Sequence, residues 1–223
     1  MKIETETLKV LKSFTDIHPG LTVKSGWSIM TINPEQNLIG VYLTQEKFPV
    51  DFSLYDLGSF LGTMGLFSEP AVEFKEHNLL IKEKGSSCQY GYCDPAILNL
   101  PKGGIVIPEM GDNLINFQVT HAVRSKLLKA ASLINSDTVS IDAYAGQMSL
   151  CVSRDDHDNE FKIEINDVHP EQDFSVSLNI NYMKFFQGDY NVSLSITDNL
   201  AFAQWQHKTL ELSYFVAMAV NEV

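Results

Sequence analysis

The sequence predicts an α+β protein built from two similar domains, each containing two helices and seven strands. Three observations carry this reading. The triplet Asp51-Phe52-Ser53 recurs as Asp173-Phe174-Ser175, and Gly26 and Gly146 each sit at the tip of an alternating hairpin pattern. Asn78 and Asn199 each lie between two apolar strands, so the three landmarks repeat at offsets of 120 to 122 residues. That period is far longer than a solenoid repeat. A chain of 223 residues divides into halves large enough to bury independent cores.

The first half opens with a helix at 6–16, where Leu8, Leu11 and Phe14 share one face and Lys9 and Lys12 lie off it. Strands follow at 21–24 and 27–32, joined at Ser25-Gly26 by a tight turn, and then at 38–44 and 48–53. Pro49 marks a strand start or an edge. A second helix at 54–66 buries Leu57, Phe60, Leu61 and Met64, while Gly58, Gly62 and Gly65 weaken it or admit a close neighbour. Strands at 71–75, 79–83 and 87–93 complete the half. Residues 94–111 hold three prolines and three glycines among apolar side chains and read as an extended connector. The expected division is therefore domain 1 at 1–93, connector at 94–111 and domain 2 at 112–223.

The second half repeats the order. A long helix is expected at 118–135, with Val123, Leu127, Ala130, Ala131 and Ile134 as its core stripe. Strands come at 138–144, 147–153, 160–166 and 173–179, then a short helix at 180–187 closed by Gly188. Strands at 190–197, 200–207 and 209–219 end the chain.

The formal charge is −12, from 28 acids and 16 bases, and the mean hydropathy is −0.05. Phosphate binding needs Lys and Arg, so the average alone argues against nucleic acid. The distribution argues otherwise. The four expected helices hold six of the 16 bases (Lys9, Lys12, Arg124, Lys126, Lys129 and Lys184) and three of the 28 acids (Glu6, Asp16 and Asp56). A solvated helix face can look the same. The acidic remainder makes a helix layer that meets phosphate from one side the sharper reading. No apolar run approaches the roughly 20 residues of a membrane span. The N-terminus has acid where a signal peptide has its apolar core. Three cysteines without framework spacing agree with a reducing compartment.

Catalytic signatures are missing. Asp155-Asp156-His157-Asp158 with Glu160 has oxygen ligands but neither the glycine nor the spacing of a calcium loop, and reads as a solvated hairpin connection. Cys88 and Cys93 lack a partner pair for zinc. No nucleophile elbow, phosphate loop or zinc-protease motif occurs. The expectation is a non-enzyme with no cofactor and no metal.

With these landmarks in place, the chain resembles the sliding clamps of T-even-type bacteriophages, the processivity factors of their DNA polymerases. The resemblance is carried by Leu11-Lys12-Ser13-Phe14, by the run from Leu21 to Thr31, and by Val50-Asp51-Phe52 with Tyr55-Asp56-Leu57-Gly58-Ser59-Phe60-Leu61-Gly62. Asp94-Pro95 at the connector and Asp137-Thr138-Val139-Ser140-Ile141 extend it. It implies a DNA-clamp fold of curved antiparallel sheets and a homotrimeric ring of six repeated domains, with helices lining a hole that holds duplex DNA. It also implies an ATP-dependent clamp loader, docking of the polymerase C-terminal peptide, late-transcription partners, and the cytoplasm of an infected bacterium.

On that resemblance the candidate DNA contacts are Lys9, Lys12, Arg124, Lys126, Lys129 and Lys184, with Lys24 in addition. The 54–66 helix departs from a basic lining, having no base. Phe161, Ile163 and Ile165 alternate on a candidate edge strand for the subunit interface, its mate an end strand of the first half; an internal strand of domain 2 would explain the pattern equally. Leu98, Leu100, Ile105 and Ile107, with Phe215 and Val216, are the candidate partner-docking residues; packing between domains is the more common reason for such apolar residues. Two other readings stand beside the clamp. One is a trimeric phage tail or baseplate protein, and the other a metal-dependent enzyme using the 155–160 acids, which a metal titration would discriminate.

Overall fold

The computed structural model describes residues 1–154, 157–197 and 200–221. The chain divides into two compact units, Met1–Val106 and Ile107–Val223, and the division falls inside the segment expected as a connector.

Unit 1 begins with helix α1 (Thr5–Phe14), whose buried face is Thr7, Val10, Leu11 and Phe14. Strands β1 (Leu21–Val23), β2 (Gly26–Ile32), β3 (Leu38–Phe48) and β4 (Phe52–Leu54) pair antiparallel in the order β4-β1-β2-β3. One strand therefore runs through 38–48, where a break was expected after 44. α1 packs on β3, and Gly40 permits the approach, since a Cβ there would lie 2.9 Å from the Phe14 ring. Helix α2 (Leu57–Met64) starts where Asp56 accepts the Ser59 N–H at 2.8 Å. Strands β5 (Ala71–Phe74), β6 (Asn78–Glu83) and β7 (Ser86–Gly91) form a second antiparallel sheet. Phe48, Phe52 and Phe74 cluster edge to face and tilted in the core, with centroids 5.4 to 6.1 Å apart.

Unit 2 opens with a strand that the sequence reading did not assign, its last two residues having been given to the long helix. β8 (Leu114–Val119) precedes helix α3 (His121–Ile134). Thr120 divides them, accepting the Val123 N–H through its hydroxyl. β9 (Thr138–Tyr144), β10 (Gln147–Arg154), β11 (His157–Ile165), β12 (Phe174–Asn179), β13 (Tyr190–Ile196), β14 (Ala201–His207) and β15 (Leu212–Val220) complete the unit. They pair antiparallel in the order β11-β10-β9-β12-β15-β14-β13-β8. The short helix expected at 180–187 is only a 3-10 turn, Ile180–Met183. Phe185 turns inward beyond it and stacks on Tyr214 at 4.3 Å, beside Tyr190 and Trp205.

The duplication has a physical basis in hydrogen bonds. Asp51 accepts the Ser25 N–H at 2.7 Å, and Asp173 accepts the Ala145 N–H at 2.9 Å, so each triplet aspartate fixes the adjacent hairpin turn. Both turns use a glycine at positive φ, Gly26 at 136° and Gly146 at 76°. Ser53 pairs with the Thr22 hydroxyl at 2.8 Å, and Ser175 donates to Asp142 at 2.7 Å across the equivalent strands. The Cys93 N–H donates to the Ser53 carbonyl as the Asn221 N–H does to that of Ser175, both at 2.9 Å. The landmark Asn199 lies outside the described residues.

Candidate nucleic-acid interface and docking groove

The buried face of α1 is Thr7, Val10, Leu11 and Phe14, and that of α3 is Arg124, Leu127, Ala130 and Ala131. Each helix carries a lysine pair, Lys9 with Lys12 and Lys126 with Lys129, and all four side chains are exposed. Lys9-Val10-Leu11-Lys12 thus reappears as Lys126-Leu127-Leu128-Lys129. Each pair stands at i, i+3, which places like charges side by side at a small cost in stability. The cost falls on the solvent side of both helices. This tetrapeptide repeat is visible in the sequence and was missed there, because the charges were counted and not aligned.

The other basic candidates divide. Lys184 is exposed just after the 3-10 turn. Lys24 is exposed but donates to Asp51 at 2.9 Å. Arg124 is a correction: it is 3% exposed and cannot contact DNA. Its Nη2 donates to the Phe186 carbonyl at 2.9 Å, and its guanidinium lies 5.0 Å from the Tyr190 ring centroid and 5.8 Å from that of Phe185. The sequence reading set it beside the core stripe. The helix is rotated so that Arg124 joins Leu127 and Ala131 inside, while Val123 and Ile134 are half-buried. α2 contributes no base, and a Cβ at Gly62 would meet nothing within 4 Å.

Strand β11 lies at the sheet end, pairing among the described residues with β10 only. Phe161, Ile163 and Ile165 stand opposite Val152, Leu150 and Met148, which are buried. Their side chains therefore face the core side on which α3 packs. What this strand offers a neighbour is its backbone edge, with Glu160, Lys162 and Glu164 on the outer face. In unit 1, β7 ends its own sheet in the same way.

The docking candidates need correction as well. Phe215 and Val216 are buried at 7% and 0% exposure and belong to the core of unit 2. Leu98 is buried beside Gly20, whereas Leu100 and Ile105 are half-buried and Ile107 is exposed. A groove of about 680 Å³ opens between the residues that lead into β8 and the end of β15. Leu114, Ile115, Phe174 and Val220 contribute its apolar surface, and Glu171 and Asp173 its acidic one.

Among the described residues, no cluster of His, Cys, Asp and Glu is arranged to hold a metal. Of the acidic loop, Asp155 and Asp156 lie outside those residues. Cys88, Cys93 and Cys151 are free thiols. Burial and the neighbouring Glu160 carboxylate push the Cys151 thiol up to about 12, which keeps it protonated. No described helix is long and apolar enough to cross a membrane.

The chain is 22% identical over 222 residues to the sliding clamp of Vibrio phage KVP40, covering 97% of this chain and 98% of the relative. It is 24% identical over 229 residues to the sliding clamp of Escherichia phage RB69, covering 99% and 98%. Against that of Enterobacteria phage T4 it is 23% identical over 201 residues, covering 87% of each. This chain is a homologue of the T4-like phage sliding clamps. No protein-family model matches it. Its fold is the DNA-clamp fold. PCNA from Thermococcus kodakaraensis superposes with a TM-score of 0.68 at 14% identity, covering 97% of this chain and 96% of that one. PCNA from Entamoeba histolytica gives 0.68 at 12%, covering 96% and 94%. A. fulgidus PCNA, solved with the C-terminal region of FEN-1 bound, gives 0.67 at 14%, covering 97% and 95%.

Proposed function

We propose that the chain is a processivity clamp whose copies close into a three-subunit ring around duplex DNA and tether a DNA polymerase to its template. The observation that carries this reading is the duplicated lysine pair on the outward faces of α1 and α3, in a protein of formal charge −12. Lys9, Lys12, Lys126 and Lys129 face the duplex, with Lys184 as a further contact; the acidic remainder disfavours DNA elsewhere. Contacts of this kind are few and independent of sequence. Strong contacts would anchor the protein, whereas a closed ring stays on DNA by topology and slides. No side chain is assigned a catalytic role.

Closure uses strand edges. The outer edge of β11 in one copy adds to that of β7 in the next, joining two sheets through backbone hydrogen bonds. The unit 2 groove receives the C-terminal peptide of the polymerase or another replication protein, apolar side chains entering between Phe174 and Val220. An ATP-dependent loader opens the ring, late-transcription factors share the docking surface, and the protein works in the cytoplasm of the infected host. A trimeric tail or baseplate protein is not favoured, because such a role gives no reason for exposed lysine pairs on both helices.

The test is retention on DNA. Loaded onto nicked circular DNA, the protein should stay bound through gel filtration and be lost once the circle is linearised. Equal retention on circular and linear DNA would overturn the topological reading.

A further inference from the structure

The hydrogen bonds that repeat between the units also build a second groove. In unit 1 a groove of about 520 Å³ is lined by Asp51, Phe52, Ser53, Glu76, Tyr92 and Cys93, among others. In unit 2 the corresponding wall is Asp173, Phe174, Ser175, Val220 and Asn221. The two sets occupy equivalent positions. Asp51 and Asp173 fix the hairpin turns, and Phe52 and Phe174 follow them. Cys93 and Asn221 each donate a backbone N–H to the serine next along. Beside the far rim, Lys75 N–H donates to the Asn78 carbonyl in unit 1 and Thr197 N–H to the Leu200 carbonyl in unit 2.

The lining of the unit 1 groove states what it can hold. Phe52 is buried and stacks under Tyr92 at 5.5 Å with 28° between their planes, so that half-buried Tyr92 and exposed Pro95 supply the accessible apolar surface. An aromatic or aliphatic side chain lies favourably on such a floor. Lys24 is already paired with Asp51 at 2.9 Å, so that pair is neutral in sum. Glu76 has its side chain 87% exposed, and its only ion-pair neighbour among the described residues is His77, at 3.7 Å. The rim thus keeps one acid without a lysine or arginine, just as the unit 2 groove carries Glu171 and Asp173.

We propose that unit 1 holds a second peptide-docking groove, which takes an extended partner segment bearing an apolar side chain next to a basic one. The inference rests on the reading of the unit 2 groove as a docking site, since the shared construction supplies the class of occupant. Each chain then offers two docking positions, and a ring of three offers six. Two partners that use this chemistry can occupy one subunit together.

Cys93 supplies a native reporter, because it is half-buried in the wall of the groove. In a Cys88→Ser protein it is the thiol open to alkylation, since Cys151 is buried and held protonated. The probe is the capped hexapeptide Lys-Ser-Phe-Leu-Phe-Lys. At three times its dissociation constant it leaves about one site in four free, so Cys93 alkylation by N-ethylmaleimide should slow about fourfold. Protection should persist in Glu171→Arg, which blocks the unit 2 groove, and be lost in Glu76→Arg, whose site is exposed and outside the core. The acidic counterpart Glu-Ser-Phe-Leu-Phe-Glu should protect less than twofold.

Unchanged alkylation with the basic peptide would overturn the proposal, and so would protection that disappears in Glu171→Arg. The unit 2 reading fails separately. If Glu171→Arg leaves the calorimetric stoichiometry of the hexapeptide unchanged while Cys93 stays protected, the unit 1 groove stands and the unit 2 assignment falls.

Discussion

Replacing Arg124 separates a structural cation from a DNA contact. The side chain is 3% exposed, donates to the Phe186 carbonyl at 2.9 Å and lies over the Tyr190 and Phe185 rings. In Arg124→Ala the charged hydrogen bond is lost, about 1.5 to 3 kcal/mol. Removing the ring contacts costs about 1 kcal/mol, and the cavity left by the truncated stem about 2 kcal/mol more. Two effects oppose these losses. The Phe186 carbonyl keeps a donor in the Tyr190 hydroxyl, at 2.6 Å. Arg124 Nη1 is also buried without a hydrogen-bond partner among the described residues, so removing the charge returns part of its desolvation cost. The expected net loss is about 3 kcal/mol, or a fall in Tm of roughly 6 to 12 °C. Arg124→Met, which keeps much of the volume, should lose less than Arg124→Ala. Thermal unfolding followed by circular dichroism reads stability, and DNA association against salt reads phosphate contact. Arg124→Ala should unfold early with an unchanged salt slope at a temperature where it is folded. A normal Tm with a shallower salt slope would refute the assignment.

The Lys126→Glu/Lys129→Glu double variant should show the opposite pattern. Both side chains are exposed, so Tm should stay within about 2 °C while polymerase stimulation on DNA falls; undiminished stimulation would remove these residues from the DNA-facing set. Adding Lys9→Glu/Lys12→Glu should deepen the loss, and no further effect would break the equivalence of the two helices. The Asp51 carboxyl is held below its ordinary 3.8, first by the Ser25 N–H it accepts and then by Lys24. Its folded value is the lower one, so its contribution to the hairpin is complete above the ordinary 3.8 and is lost as pH falls through the folded value. The Ser25 amide resonance should therefore titrate with a midpoint below 3.8. A midpoint at or above 3.8 would show that the turn does not depend on this carboxylate.

What the sequence made legible was the pattern that repeats. The Asp-Phe-Ser triplets and turn glycines were readable because each side chain performs the same local task twice, fixing a hairpin and crossing to its partner strand. The α1 lysines were placed outside correctly because Leu11 and Phe14 set the buried face, although Val10 rather than the expected Leu8 joins them there, Leu8 being half-buried. Arg124 was misplaced because periodicity gives an arginine to solvent by default. Nothing local in the sequence announces that Phe185, Tyr190 and Phe186, some sixty residues away, form a lining for its guanidinium. The strand β8 was lost for a related reason. Its alternation over Ile115, Phe117 and Val119 runs directly into the helix, and Thr120 had to be recognised as the cap that separates them. Phe215 and Val216 looked available as a late apolar pair, but β15 has sheet neighbours on both sides. The docking groove depends on residues far apart in sequence, so no motif could show it.

Light scattering across a dilution series tests ring closure most directly. Three copies of the 25.0 kDa chain give a mass of about 75 kDa, and this value should hold from high concentration until dilution releases subunits of 25.0 kDa. A mass that stays at 25.0 kDa at high protein concentration would contradict closure through the β11 and β7 edges.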